Sequence, residues 1–342
     1  MPSLAPPSSA ASPVPAPDPA GARAPARDPG VAAGRRLPPV VPGSWQAWLV
    51  ALRPRSLLIS VSPVLVGAAF AWARTDTLNA PNFLLVLVAS LLMQLITNLQ
   101  NDVGYTARGA ERHGNRIGLP RATAQGWLTP GQVRRAIVLC VAAAVLVGLP
   151  LVAERGWPAL AIGALSIGAA LAYMGGPWPI AYTPLGELVV FVFFGLVAVC
   201  GTAWVLGAGL GLDIALAGAA LGALAAAVLV VNNHRDTAHD RSVGRRTFAV
   251  LMGDPASRGL YGVLMLVPFL VAPLVAMLQG AAAVLLPIVL APLAWRLWRD
   301  LRATRPGLAF NALLFRTVKL ELLFAALLVV GLVLGHLERV AR

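Results

Sequence analysis

Two short polar rows interrupt an otherwise oily chain. Asn98 and Asp102 stand four residues apart, as do Asn232 and Asp236, and Asp240 follows four residues later. On a helix, positions i and i+4 differ by about 40° in azimuth and lie one turn apart, so each row shares a face. Tyr105 extends the first row if its helix continues. Amides and carboxylates without a convergent His or Cys favour a hard cation. Mg2+ takes one or two protein carboxylates and completes its octahedron with waters and substrate phosphates. Arginines crowd both rows: Arg108, Arg112, Arg116 and Arg121 follow the first, and Arg235, Arg241, Arg245 and Arg246 surround the second. A pure cation site has no use for them. Carboxylate, amide and guanidinium together are what a Mg2+-bridged diphosphate requires, the metal neutralising charge and the planar forks gripping oxygens bidentately.

The elements that must position these rows are membrane spans. Of 342 residues, 58% are hydrophobic and 12% charged, and the mean hydropathy is +0.75. Apolar runs at 57–74, 82–97, 133–152, 158–173, 187–208, 212–231, 259–278, 281–298 and 318–335 each approach the ~20 residues that cross a bilayer. They predict an all-α, polytopic membrane protein of nine transmembrane helices. The two rows close the second and sixth runs, and an even number of crossings separates them, so both emerge on one membrane side. Polar groups at the end of a span are costly unless they face a cavity.

The net charge of +13 is scattered between the oily runs instead of clustering on a soluble face, which excludes a nucleic-acid partner. It follows topology instead. With the N-terminus inside, 23 of the 27 Lys and Arg residues fall on the inner side, leaving Arg74, Arg155, Arg339 and Arg342 outside. The positive-inside rule then puts the N-terminus in the cytoplasm of a multi-pass protein of the cell inner (plasma) membrane. Residues 1–43 hold 12 of the 28 prolines and no apolar period, and are expected to form a disordered cytoplasmic tail ahead of a transmembrane domain over 44–342.

Cys140 and Cys200 lie inside apolar runs, away from any ligand cluster, and are expected to be small core residues. His234 and His239 step off the face shared by Asn232, Asp236 and Asp240, which makes solvated or interfacial roles the expectation for them.

The stretches "LRPRSLLISVSPVLVG" at 52–67, "TNLQNDVGYTARGAERHGNRIGLPR" at 97–121, "YMGGPWPIAYTPLGELVVFVFFGLVAVCGT" at 173–202 and "VNNHRDTAHDRSVGRRTFAVLMG" at 231–253 resemble the intramembrane aromatic prenyltransferases of the UbiA type. Among these the chain is most similar to the branch that acts on 1,4-dihydroxy-2-naphthoate in menaquinone synthesis. The fourth stretch carries most of that likeness through its paired asparagines.

The resemblance implies a nine-helix bundle around a central cavity open to the cytoplasmic side. It also implies Mg2+ as cofactor, with Asn98, Asp102, Asp236 and Asp240 as metal and diphosphate ligands, directly or through water. Two positions depart from the family pattern. Tyr105 stands where a second aspartate is usual, and Glu111 where this branch often has a third. A phenol that titrates near 10 is a poor Mg2+ ligand, so Tyr105 is expected to hydrogen-bond a phosphate or water, whereas Glu111 keeps the charge and can reach the same ion. For diphosphate the resemblance points to Arg116, Arg121, Arg235 and Asn232. Arg53 and Arg55 match a basic family position, read either as diphosphate contacts or as inner-side anchors. Tyr173 and Glu187 flank the loop that shapes the aromatic acceptor's site.

The expected reaction is Mg2+-dependent transfer of a polyprenyl group from polyprenyl diphosphate to dihydroxynaphthoate, with loss of CO2 and diphosphate, inside a lipid bilayer. Another acceptor (4-hydroxybenzoate, homogentisate or a phytyl-type acceptor) is the nearest alternative. A cation-coupled transporter is the next, although its carboxylates belong near the bilayer midplane.

Overall fold

The computed structural model describes residues 40–110 and 117–341. The expected tail over 1–43 therefore falls almost wholly outside the described residues, as do Glu111 and Arg116. Among the described residues, nine helices are long and apolar enough to cross a membrane: Pro54–Thr75, Ala80–Ala107, Pro130–Arg155, Trp157–Met174, Gly186–Val205, Leu212–Arg235, Phe248–Gln279, Ala282–Ala303 and Phe310–Val340. They are numbered here as spans one to nine. A short helix, α1 (Trp45–Leu52), precedes them. Every expected apolar run lies in one of these helices, apart from a residue or a few at some ends.

Local signals explain most of the ends. Spans two and three start at side-chain caps, Asn79 accepting from the Asn82 N–H at 3.0 Å and Thr129 forming a reciprocal capping box with Gln132. Spans one, two, three and four each carry proline in the first turn, where a missing N–H costs nothing. Arg53, between α1 and span one, sits at φ 53°, ψ 64°, an uncommon left-handed conformation for a residue with a side chain.

Span six is the most enclosed of the nine. Lipid is as apolar as leucine, so association between spans rests on close van der Waals packing by small residues. Gly195 of span five shows this: a Cβ there would collide with the backbone of Gly218 and Gly222 in span six. At this crossing span five is wound as a π-helix over Val192–Val197, the wider turn that admits one extra residue. Span seven is kinked at Gly253 (φ 77°), where the left-handed backbone suits glycine.

At the end of the bundle away from the polar rows, Arg74 forks onto Asp213 at 2.6 and 2.7 Å, joining spans one and six. Gln279 also donates to Asp213, and Arg339 donates to the Gln279 carbonyl at 3.1 Å, which draws spans seven and nine into the same clasp. Both cysteines are free and partly buried.

Candidate active site

A cavity of about 560 Å3 opens between the first six spans. Along span two it is lined from Val86 to Tyr105, nineteen residue-to-residue steps, or roughly 28 Å of helix at about 1.5 Å per step. Most of the wall is apolar, with Met93, Leu149, Phe193 and Trp204 among its members. Span five faces the cavity with Val189, Phe193, Val197 and Gly201 and with their following neighbours Val190, Phe194, Ala198 and Thr202, a repeat of four residues. The polar side chains gather at one end: Arg53, Asn98, Asn101, Tyr105, Arg121, Asn232, Asn233 and Arg245.

The first row is inside the helix, because span two continues past its apolar stretch to Ala107. Asn98 lines the cavity but its amide is engaged: Nδ2 donates to the Leu52 carbonyl and to Ser56 Oγ, both at 2.8 Å, and Oδ1 accepts from Gln94 at 3.1 Å. Asp102 is fully buried and does not line the cavity. Its carboxylate accepts the Ala122 N–H at 2.8 Å, the Thr123 N–H at 2.9 Å and the Thr123 hydroxyl at 2.6 Å. Asp102 thus holds the chain that returns towards span three, and both oxygens are spent on that task. The residue beside it, Asn101, is the one that faces the cavity, with a buried Oδ1 that has no hydrogen-bond partner among the described residues.

The second row is organised by arginines. Arg235 forks onto its neighbour Asp236 at 2.8 and 2.6 Å and also donates to Asn232 Oδ1 at 2.9 Å and Asn311 Oδ1 at 2.7 Å. Those bonds occupy Arg235 away from the cavity wall, which Asn232 reaches and Arg235 does not. Asp240 pairs with Arg245 at 2.6 Å through Oδ1, while Oδ2 is buried without a partner among the described residues. Burial pushes the Asp240 carboxyl up, and the Arg245 guanidinium pulls it back. Burial opposes the charge on Arg245, but Tyr105 and Asp240 more than offset it and hold this guanidinium above its ordinary value. Arg245 also donates to the Ala181 carbonyl at 2.9 Å.

Arg121 and Arg245 both lie over the Tyr105 ring, at 4.4 and 5.3 Å from its centroid. Where an aspartate was the family expectation, the chain uses an aromatic platform that gathers two cations by cation–π attraction. Arg108 lies 5.6 Å from the Tyr182 ring and donates to the Met174 carbonyl at 2.7 Å. Of the two arginines in "RPR", Arg53 lines the cavity, whereas Arg55 is exposed and away from it. Arg53 sits in the left-handed turn ahead of span one and Arg55 in the first turn of that span, so the two side chains leave the backbone in different directions. His234 and His239 are buried, not solvated. His234 Nε2 lies 2.7 Å from Asp254 Oδ1, and the ring packs edge-on against Phe310.

Among the described residues no three His, Cys, Asp or Glu side chains converge as a metal-binding group. The donors present still suit a hard cation shared with a ligand: buried oxygens on Asn101 and Asp240 that have no hydrogen-bond partner among the described residues. Three guanidinium groups, those of Arg53, Arg121 and Arg245, face or border the same end, which is where a diphosphate would be gripped. Arg245 and Asn101 carry more of this end than the spacing argument assigned to them. Their signals were weak in sequence, one arginine among several and one asparagine beside a more conspicuous aspartate.

Residues 60–318 match the model of the UbiA prenyltransferase family. The chain is 34% identical over 302 residues to the 1,4-dihydroxy-2-naphthoate octaprenyltransferase of Escherichia coli, covering 85% of this chain and 96% of that one. It is 36% identical over 299 residues to the protein of the same name from Mycobacterium tuberculosis, covering 86% and 99%. In fold it is similar to a UbiA homologue from Archaeoglobus fulgidus solved with DMAPP and Mg2+, with a TM-score of 0.62 at 15% identity over 82% of this chain and 97% of that one.

Proposed function

The chain belongs to the UbiA prenyltransferase family, and from that premise we propose that it transfers a polyprenyl group from polyprenyl diphosphate to 1,4-dihydroxy-2-naphthoate, releasing diphosphate and CO2. The observation that carries this reading is a cavity with two characters: a cationic, amide-rich end built on Arg53, Arg121 and Arg245, and an apolar length that follows span two for most of its course. A diphosphate head and an isoprenoid tail need those two environments in that order. The names of the relatives support naphthoate as the acceptor.

In the proposed mechanism Arg121 and Arg245, steadied on Tyr105, hold the diphosphate oxygens and stabilise the charge that grows on them as the allylic C–O bond breaks. Asn101 and Asp240, with Asp236 behind them, would hold Mg2+, which supplies further neutralisation of the diphosphate when bound. The apolar wall excludes water from the allylic cation, leaving the electron-rich naphthoate ring as the nucleophile. Loss of the ring carboxylate as CO2 then restores aromaticity. Asn98 and Asp102 support this end from behind, Asn98 by tying span two to the α1–span one junction and Asp102 by fixing the 121–123 turn that carries Arg121. The excess of arginine at the row-bearing end supports a cytoplasmic setting for that end in the plasma membrane.

Purified protein in detergent, supplied with labelled polyprenyl diphosphate and dihydroxynaphthoate, is expected to form prenylated product with Mg2+ and none after EDTA. Product from 4-hydroxybenzoate but not from dihydroxynaphthoate would overturn the acceptor assignment, and no Mg2+ dependence would overturn the metal.

A further inference from the structure

The mechanism above leaves one buried polar pair unused. Asn233 and Glu187 are 2% and 7% exposed. Asn233 Nδ2 donates to Glu187 Oε1 at 2.9 Å, bridging the last turn of span six and the first turn of span five. Two oxygens remain without a hydrogen-bond partner among the described residues, Asn233 Oδ1 and Glu187 Oε2. Two buried acceptors left unsatisfied are expensive, so a pair of this kind is matched to a donor that arrives with a ligand.

The carboxylate also decides which way the amide points. A carboxylate accepts and does not donate, so it takes the NH2 side of Asn233 and leaves Oδ1 as the acceptor without a partner among the described residues. Asn233 lines the cavity, together with Tyr173 and Leu229 on either side of the same wall. Gly186 lies between those two, and a Cβ on it would come 3.7 Å from the Tyr173 hydroxyl and 3.5 Å from Leu229. The wall is therefore a flat, mostly apolar recess with one fixed acceptor in it.

Resting on the prenyl-transfer reading, we infer that Asn233 Oδ1 receives a hydroxyl of the aromatic substrate, and that Glu187 is a positioning residue that fixes the amide for this purpose. The diphosphate is the wrong partner for this spot, because its oxygens are acceptors and a carboxylate lies directly behind the amide. A phenolic hydroxyl is the right one: it donates, and its ring fits the recess. The pair thereby orients the ring by one hydrogen bond and discriminates against aromatics that lack a donor there.

Steady-state kinetics on the full chain in detergent test this. E187Q can present either side of its own amide, so Asn233 loses its fixed orientation. The KM for the aromatic substrate is expected to rise about tenfold, with the KM for polyprenyl diphosphate and the Mg2+ half-saturation unchanged within twofold, and E187D is expected to recover part of the loss. A shift in the diphosphate or Mg2+ parameters instead, or no change beyond twofold, overturns the assignment. A second arm uses the unmodified protein: each mono-O-methyl ether of dihydroxynaphthoate as a competitive inhibitor. One ether is expected to bind about tenfold more weakly than the parent, and equal inhibition by the parent and both ethers overturns the inference even if E187Q fails to fold. If the protein prefers another hydroxylated aromatic, the naphthoate reading fails while the E187Q shift persists with that substrate. If no aromatic is prenylated, the functional reading itself fails.

Discussion

The ends of span two and span six carry the same short pattern and do different work. Just past the end of span six, Asp240 keeps one buried carboxylate oxygen without a hydrogen-bond partner among the described residues, and its salt bridge to Arg245 holds that arginine at the cavity. In span two, Asp102 spends both oxygens on the backbone and hydroxyl of residues 122 and 123. At that end the cavity is lined instead by Asn98, Asn101, Tyr105 and Arg121. The difference teaches that a carboxylate engaged through both oxygens by neighbouring N–H and O–H groups shapes a site from behind its wall, since any further partner must compete with bonds already made.

This contrast is open to attack at several points. The largest effect is expected from Asp240→Asn, which keeps the shape and removes the charge: kcat/KM per folded molecule should fall about a thousandfold, together with a fall in melting temperature, because Arg245 is left buried without its carboxylate. Asp102→Asn should lower stability without that loss of turnover. It places an amide against two N–H donors, costs about 3 kcal/mol of stability, and shows as a clear fall in melting temperature with turnover per folded molecule reduced by about tenfold at most. Full loss of turnover at an unchanged melting temperature would put Asp102 in the chemistry and collapse the distinction. Next comes the arginine pair at the start of span one, where Arg53→Gln should raise the KM for polyprenyl diphosphate by about thirtyfold and Arg55→Gln by less than twofold. Equal effects would show that the inward and outward assignment is wrong. The smallest change separates ring from hydroxyl at Tyr105. Tyr105→Phe should stay within threefold of the parent, and Tyr105→Leu should weaken diphosphate binding about fivefold, the order of one cation–π contact.

The nine spans were legible because hydropathy over about twenty residues is a strong signal. Their ends were not. Span two runs on to Ala107, and span seven begins at Phe248, ahead of the apolar run expected from 259. A helix continues into polar sequence wherever the protein interior satisfies the side chains, and hydropathy does not register that. Within the site, Tyr105 and Asn232 reach the cavity on the faces their spacing suggested, and Arg121 lines it too, a residue to which the family resemblance pointed. The partners of Asp102 were not legible, because they lie twenty residues further on, in a turn with no signature of its own. The choice between Arg53 and Arg55 depended on a left-handed residue at 53, a conformation that sequence does not announce outside glycine and asparagine. Glu187 and Asn233 are 46 positions apart and meet because the glycine contact between spans five and six brings their helix ends together.

The π-wound turn of span five bears on how this cavity keeps its shape. Cavity-facing residues recur every four positions from Val189 to Gly201, whereas an α-helix turns once in about 3.6 residues. Over three such steps a plain helix would slip by roughly 120° and swing its far half into the packing against its neighbours. The wide turn at Val192–Val197 works as a phase correction, keeping one stripe of the helix on the tunnel from head to tail. Removing a single residue there would leave Glu187 and Val189 in place and rotate Thr202 and Trp204 off the wall, so the half beside the polar end can be put out of step with the apolar half.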